Sequence, residues 1–356
     1  MKKIAVIDAD LIGRKKHRFP NLCCLKISGY HKSCDDNVTL KFDYAGLEFF
    51  DKVYIAKVFT DTVIPMGGGL FNINPLELPN VEYGGTGFFY DKAKPLPYEI
   101  EHSMPDYNLY NEWLARVDNG KDFKAYKDYS IGFLTRGCFR HCPFCVNRRS
   151  NKVIAHSPLN EFLDTSRRKI CLLDDNFFGY EDWRTLLEQL QDTNKPFHFK
   201  QGLDVRLLDD EKAAVLFKSK YDGDFIFAFD DWADAPIIEE KLKLIRRHYK
   251  TSRKVKFYVL CAYDISGKYD KNFWLNDLEN TCRRLKLLNQ YKCLAYVMRF
   301  NRYLDSPYKT VYCTLAEYAN QPAFFFRMPF DEFATARRKS INPIVHELNR
   351  KFFEVY

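Results

Sequence analysis

The stretch Gly137-Cys138-Phe139-Arg140-His141-Cys142-Pro143-Phe144-Cys145 decides how this chain is read. Its three cysteines are spaced Cys-x3-Cys-x2-Cys, and they follow Tyr129-Ser130-Ile131-Gly132-Phe133-Leu134-Thr135, an apolar run suited to a buried strand. Thiolates this close on one loop can converge on a single metal centre. Three are one short of a closed tetrahedral zinc site or a fully thiolate-ligated cubane. A [4Fe-4S] cluster on three cysteines keeps one iron open to a ligand from outside. The competing donor set adds His141 to Cys138, Cys142 and Cys145 as a Cys3His zinc site. All four of those donors sit on one loop, with no distant pair to join, which weighs against structural zinc.

Downstream of the loop the pattern is regular. Apolar strands are expected at 131–134, 170–173, 197–199, 225–229, 257–261 and 294–298, with helix-like segments at 181–191, 210–220, 237–249 and 273–288. Six strand–helix units at this repeat length predict a parallel sheet curling into a partial (β/α)6 TIM-like barrel over 128–300. Residues 301–356 read as closing C-terminal helices. Upstream, strands are expected at 2–8, 38–42 and 51–59, punctuated by Asp8-Ala9-Asp10-Leu11-Ile12-Gly13, Gly67-Gly68-Gly69 and Gly84-Gly85-Thr86-Gly87. Strand, loop and glycine alternating in this way predict a Rossmann-like open sheet over 1–95. Residues 96–127, with Pro97 and Pro105, read as a packed connector.

With 356 residues, 46% of them hydrophobic, the chain can build two cores. No apolar run is long enough to span a membrane, and Met1–Asp8 reads as a strand and not a signal peptide. Eleven cysteines without an export signal point to reduced thiols and metal binding in the cytoplasm. The net charge of +8 suits a polyanionic partner such as nucleic acid, but basic residues spread along solvated helix faces are the stronger account of it.

In parallel βα barrels the site lies at the carboxyl ends of the strands. After the cysteines those ends carry Asp174-Asp175-Asn176, then Gln201, Asp204 and Arg206, then Asp230 and Asp231, then Tyr263 and Asp264, and finally Arg299 and Asn301. A carboxylate such as Asp175 or Asp231 can equally serve as an N-cap for the helix that follows it.

The cysteine motif resembles that of the radical S-adenosylmethionine (radical SAM) superfamily, and the arrangement of the whole chain resembles its branch with an N-terminal cobalamin-binding-like domain. The resemblance implies a [4Fe-4S] cluster on Cys138, Cys142 and Cys145, with S-adenosylmethionine (SAM) bound at the open iron. It also implies a one-electron donor such as flavodoxin or ferredoxin. Phe144 matches the aromatic residue found between the last two cysteines. Asp174, Asp175 and Asn176 stand where the family carries a motif touching the methionine amino group. Gln201 joins the cofactor-binding set, Arg206 would take the methionine carboxylate through its fork, and Asp230 or Asp231 the ribose hydroxyls. Asp8-Ala9-Asp10-Leu11-Ile12-Gly13 matches the cobalamin turn Asp-x-His-x-x-Gly except that Asp10 replaces the cobalt-ligating histidine. His17 and His31 are off the turn, so bound cobalamin is not expected, though Gly84-Gly85 matches the family's later glycines. Cys23, Cys24 and Cys34 are too crowded for the second cluster of methylthiotransferases, and Cys171, Cys261 and Cys293 read as core.

The expected function is therefore radical SAM chemistry on an unidentified substrate, with a nucleotide or nucleic acid compatible with the charge. A cobalamin-dependent radical methyltransferase is one alternative. A zinc-stapled nucleic-acid-binding protein without catalysis is the other.

Overall fold

The computed structural model describes residues 1–14, 19–65, 74–117, 123–251 and 254–354. His17 and Gly67-Gly68-Gly69 lie outside them. The chain forms two compact units, one of Met1–Asp174 with Thr185–Phe197 and one of Asp175–Arg184 with His198–Tyr356.

The first unit opens with a four-stranded parallel sheet of β1 (Lys3–Asp8), β2 (Asn37–Leu40), β3 (Lys52–Ala56) and β4 (Val81–Gly84). Their order is β2-β1-β3-β4. This order matches the first four strands of flavodoxin-like sheets, in which the switch point lies between β1 and β3. β1 is central and reads Lys-Ile-Ala-Val-Ile-Asp, with every residue after Lys3 buried, as a strand covered on both faces requires. Asp8 ends it and caps the short helix Ala9–Gly13 by accepting the N–H groups of Asp10 and Leu11. Helix Leu22–Ser33 follows, capped by Asn21.

Ile4, Val6, Leu25 and Ile27 pack with Tyr107, Tyr110 and Tyr126 from the connector and with Ile131 and Cys171. The connector is thus part of this core. Tyr110 is fully buried and donates its hydroxyl to Asp8 at 2.8 Å. Farther along the same unit, β5 (Tyr129–Gly132) pairs in parallel with β8 (Lys169–Leu172), Ile131 opposite Cys171. Between them, β6 (Thr135–Arg136) and β7 (Ile154–Ala155) pair antiparallel and close the base of the loop that carries the cysteines.

After β9 (Phe197–Phe199), the second unit holds β10 (Phe225–Ala228), β11 (Val255–Cys261) and β12 (Leu294–Arg299), parallel and in that order. Leu203 bridges in parallel to Phe227. β11 alternates buried and half-buried residues throughout. Helix Ala235–His248 runs between β10 and β11, and helix Lys271–Gln290 between β11 and β12. The C-terminal segment is helical in Lys309–Ala319, Pro322–Phe325, Phe330–Arg337 and Ile344–Phe352. All six strands expected after residue 128 are present, and the described pairings among them are parallel. Among the described residues no helix is long and apolar enough to cross a membrane.

Candidate functional site

The cysteine loop grows from a fixed base. Asp174, fully buried just beyond β8, accepts the N–H of Leu134 at 3.2 Å and both the N–H and the hydroxyl of Thr135 at 2.7 Å. Its carboxylate therefore holds the exit from β5. The β6–β7 ladder continues through His156 N–H to the Leu134 carbonyl at 2.8 Å. Gly137 adopts φ +95, and a Cβ there would collide with the Lys152 carbonyl, so this position admits only glycine.

Within the loop, Cys138 N–H donates to Ser150 Oγ at 3.2 Å and Cys145 N–H to the Cys142 carbonyl at 2.9 Å. Asn147 N–H points to Cys145 Sγ at 3.4 Å. Cys138, Cys142 and Cys145 are half-buried, whereas Cys24, Cys171, Cys261, Cys282 and Cys293 are buried. Burial raises the Cys24, Cys261 and Cys282 thiols and pushes Cys293 up to about 11 and Cys23 to about 12, which makes them poor thiolates. The core reading of Cys171, Cys261 and Cys293 agrees with this. Among the described residues no three His, Cys, Asp or Glu side chains are drawn together closely enough to hold a metal as they stand. The fit to a cluster therefore rests on donor chemistry: three half-buried thiols on one loop, with the Asn147 N–H turned toward the Cys145 sulfur.

The loop is also tied to the segment after β4. Tyr90 donates its hydroxyl to the Phe144 carbonyl at 2.6 Å. Asp91 accepts from Arg148 Nε at 2.8 Å and Arg149 Nε at 2.9 Å. Hydrogen bonds from Arg149 and Arg148 hold the Asp91 carboxyl down at about 2. Sequence reading missed Tyr90 and Asp91, because more than fifty residues separate them from their partners.

The second unit holds the other strand-end residues. Asp175 is half-buried, Asn176 buried and Gln201 exposed. Arg206 is already gripped by two carboxylates: its Nε lies 2.8 Å from Asp204 and its Nη1 2.8 Å from Asp234. Asp231 caps the turn Trp232–Asp234 through Ala233 N–H, its plain structural reading. Asp230 accepts Leu260 N–H at 2.8 Å, and burial raises its carboxyl above the usual range. Beside it Arg284, only 2% exposed, donates to the carbonyls of Phe229, Asp230 and Leu260. Asp264 folds back on its own turn through Ser266 and Lys268. Arg299 Nη1 lies 2.8 Å from Cys313 Sγ.

Two residues of the cobalamin-type comparison, Asp10 and His31, are engaged within the fold. At the switch point of the first sheet, Asp10 is 1% exposed and accepts the N–H groups of Val58 and Phe59 and the Thr62 hydroxyl. Its carboxylate thus bridges the loops after β1 and β3, where such a sheet seats a ligand. Gly85 turns at φ +107 because a Cβ would strike the Lys57 carbonyl, so it approaches the chain's own backbone. His31 is occupied by Asp36 at 2.9 Å and the Tyr54 hydroxyl at 3.1 Å.

No family model matches the chain, and no curated protein matches it. Two solved structures of the cobalamin-dependent S-adenosylmethionine radical enzyme OxsB align with it. The apo, selenomethionine-labelled form gives a TM-score of 0.47 at 10% identity, over 88% of this chain and 55% of that one. The form with aqua-cobalamin bound gives 0.43 at 9% identity, over the same shares. The chain thus spans about half the length of OxsB.

Proposed function

We propose that this chain is a radical SAM enzyme in which Cys138, Cys142 and Cys145 hold one [4Fe-4S] cluster. The observation that carries the reading is the cysteine loop itself: three half-buried thiols on a hairpin braced at its base by Asp174. Bound there and reduced by an outside one-electron donor, such a cluster would supply the reductive cleavage of SAM that opens radical chemistry on the substrate. The chain's own part is to orient and to exclude water. Asp174 fixes the strand exit, and the Asn147 N–H is aimed at the Cys145 sulfur. The cofactor-binding roles of Phe144, Asp174, Asp175, Asn176, Gln201, Arg206, Asp230 and Asp231 belong to the same proposal. So do a one-electron donor such as flavodoxin or ferredoxin and a polyanionic substrate. The loop favours such a substrate, with Arg136, Arg140, Arg148, Arg149 and Lys152 and no carboxylate between 136 and 152.

Anaerobic reconstitution tests the reading. About four irons per chain are expected, lost in Cys138→Ala and kept in Cys23→Ala. With dithionite and SAM the loaded protein releases 5′-deoxyadenosine. Full iron in Cys138→Ala sinks the assignment.

One contact favours the zinc reading. His141 Nδ1 lies 2.8 Å from the Arg148 carbonyl, which places the proton on Nδ1 and leaves Nε2 as a donor. Metal analysis of the purified protein separates the two, since zinc in place of iron at one per chain supports the Cys3His site.

A further inference from the structure

The glycine turn after β4 stands where a cobalamin-binding domain would meet its cofactor, yet here its downstream residues reach the cysteine loop. Gly85 and Gly87 seat the segment against β3, with Gly87 N–H on the Lys57 carbonyl at 2.9 Å and the Thr86 hydroxyl on the Val58 carbonyl at 2.9 Å. The chain then passes through Tyr90 at φ +50, a left-handed conformation rare for an aromatic residue and held only where the surroundings require it. That strain aims the Tyr90 hydroxyl at the carbonyl of Phe144, the residue directly before Cys145. The next side chain, Asp91, is 6% exposed and takes Nε of both Arg148 and Arg149. Arg148 in turn donates to the Pro143 carbonyl at 3.1 Å and lies 5.7 Å from the centre of the Tyr90 ring. Residues 143 to 149, which include Cys145, are thereby gripped from one short segment.

We propose that Tyr90 and Asp91 are positioning residues for the iron–sulfur cluster. Tyr90 clamps the backbone beside Cys145, and Asp91 neutralises part of the guanidinium charge on the loop. This rests on the cluster reading above. The reduced cluster carries one more negative charge than the oxidised one, so nearby cations ease its reduction and a carboxylate opposes it. Asp91 therefore holds the potential lower than Arg148 and Arg149 alone would set it.

The test compares reconstituted wild type, Tyr90→Phe and Asp91→Asn under anaerobic conditions. Asp91→Asn keeps an acceptor oxygen but removes the charge, so its midpoint potential, read by potentiometric electron paramagnetic resonance, rises above wild type. Tyr90→Phe leaves the potential nearer wild type but loses iron to a chelator roughly five- to tenfold faster, as the loss of one hydrogen bond implies. A second measurement needs no cluster: trypsin cuts the cluster-free chain after Arg148 and Arg149 several-fold faster in both variants. Wild-type chelation, potential and cleavage in both variants overturn the clamp while leaving the cluster intact. A wild type that takes up no iron overturns the cluster reading and the clamp together.

Discussion

The Asp10 carboxylate accepts the backbone N–H of Val58 at 2.7 Å and so ties the loop after β1 to the loop after β3. The side chain at this place in the turn, which also takes the Phe59 N–H and the Thr62 hydroxyl, is consumed by the fold. Hydroxocobalamin incubated with the pure protein is expected to pass through a desalting column, leaving no retained corrin absorbance. Stoichiometric retention would overturn this. Asp10→Ala strands three donors and should cost about 2–4 kcal/mol in urea unfolding.

Asp174 makes a parallel case within the cysteine loop's base. Asp174→Ala leaves the Leu134 and Thr135 amides and the Thr135 hydroxyl without their buried acceptor. A loss of about 2–3 kcal/mol and reduced iron uptake are expected, with partial recovery in Asp174→Asn. Unchanged iron uptake with weakened SAM binding, measured by calorimetry, would mark Asp174 as a direct contact of the cofactor instead of a brace for the loop.

The sequence made the repetitive parts of this fold legible. β10, β11 and β12 announce themselves because each is a run of apolar residues bounded by polar ones, and the cysteine spacing is local and specific. β4 escaped because Val81-Glu82-Tyr83-Gly84 is short and largely exposed. The two-residue strands β6 and β7 carry no periodicity at all. The flavodoxin-like strand order is a matter of long-range pairing that no local pattern encodes. The same holds for the site: Cys138, Cys142 and Cys145 could be read, but the engagement of Arg206 by Asp234 and the clamp from Tyr90 and Asp91 depend on contacts between distant residues. Asp231 shows the opposite case, since its plain role as a cap was readable from its place before a helical turn.

Arg284 was not singled out by any motif, yet its Nη1 reaches three carbonyls at 2.9–3.0 Å at the ends of β10 and β11. Arg284→Leu should destabilise the protein by about 2–4 kcal/mol, because it strands those three acceptors. Urea unfolding measures this; a loss below about 1 kcal/mol, the size of a single net hydrogen bond, would show that the network relaxes without it.

His156 supplies the pH dependence. It follows β7 at the base of the cysteine loop, with Nε2 3.4 Å from Glu101 Oε1, Nδ1 3.1 Å from the Ser157 hydroxyl and its ring 5.3 Å from that of His102. Burial lowers its pKa to about 4; Glu101 pulls it upward, while Arg136, Lys26 and His102 push it down. The unfolded chain titrates this group near 6.5. Above that pH both states hold a neutral imidazole and the group has no effect. As pH falls from about 6.5 toward 4, the unfolded chain takes up a proton that the folded one refuses, so folding stability drops, by up to about 3 kcal/mol at the bottom of the window. His156→Gln keeps polar groups in place and removes the titration. The stability of wild type relative to His156→Gln should therefore decline across that window and be flat above it, as read from urea midpoints at successive pH values. Parallel profiles for the two proteins, or an imidazole that titrates near 6.5 by nuclear magnetic resonance, would show that the buried network accommodates the charge after all.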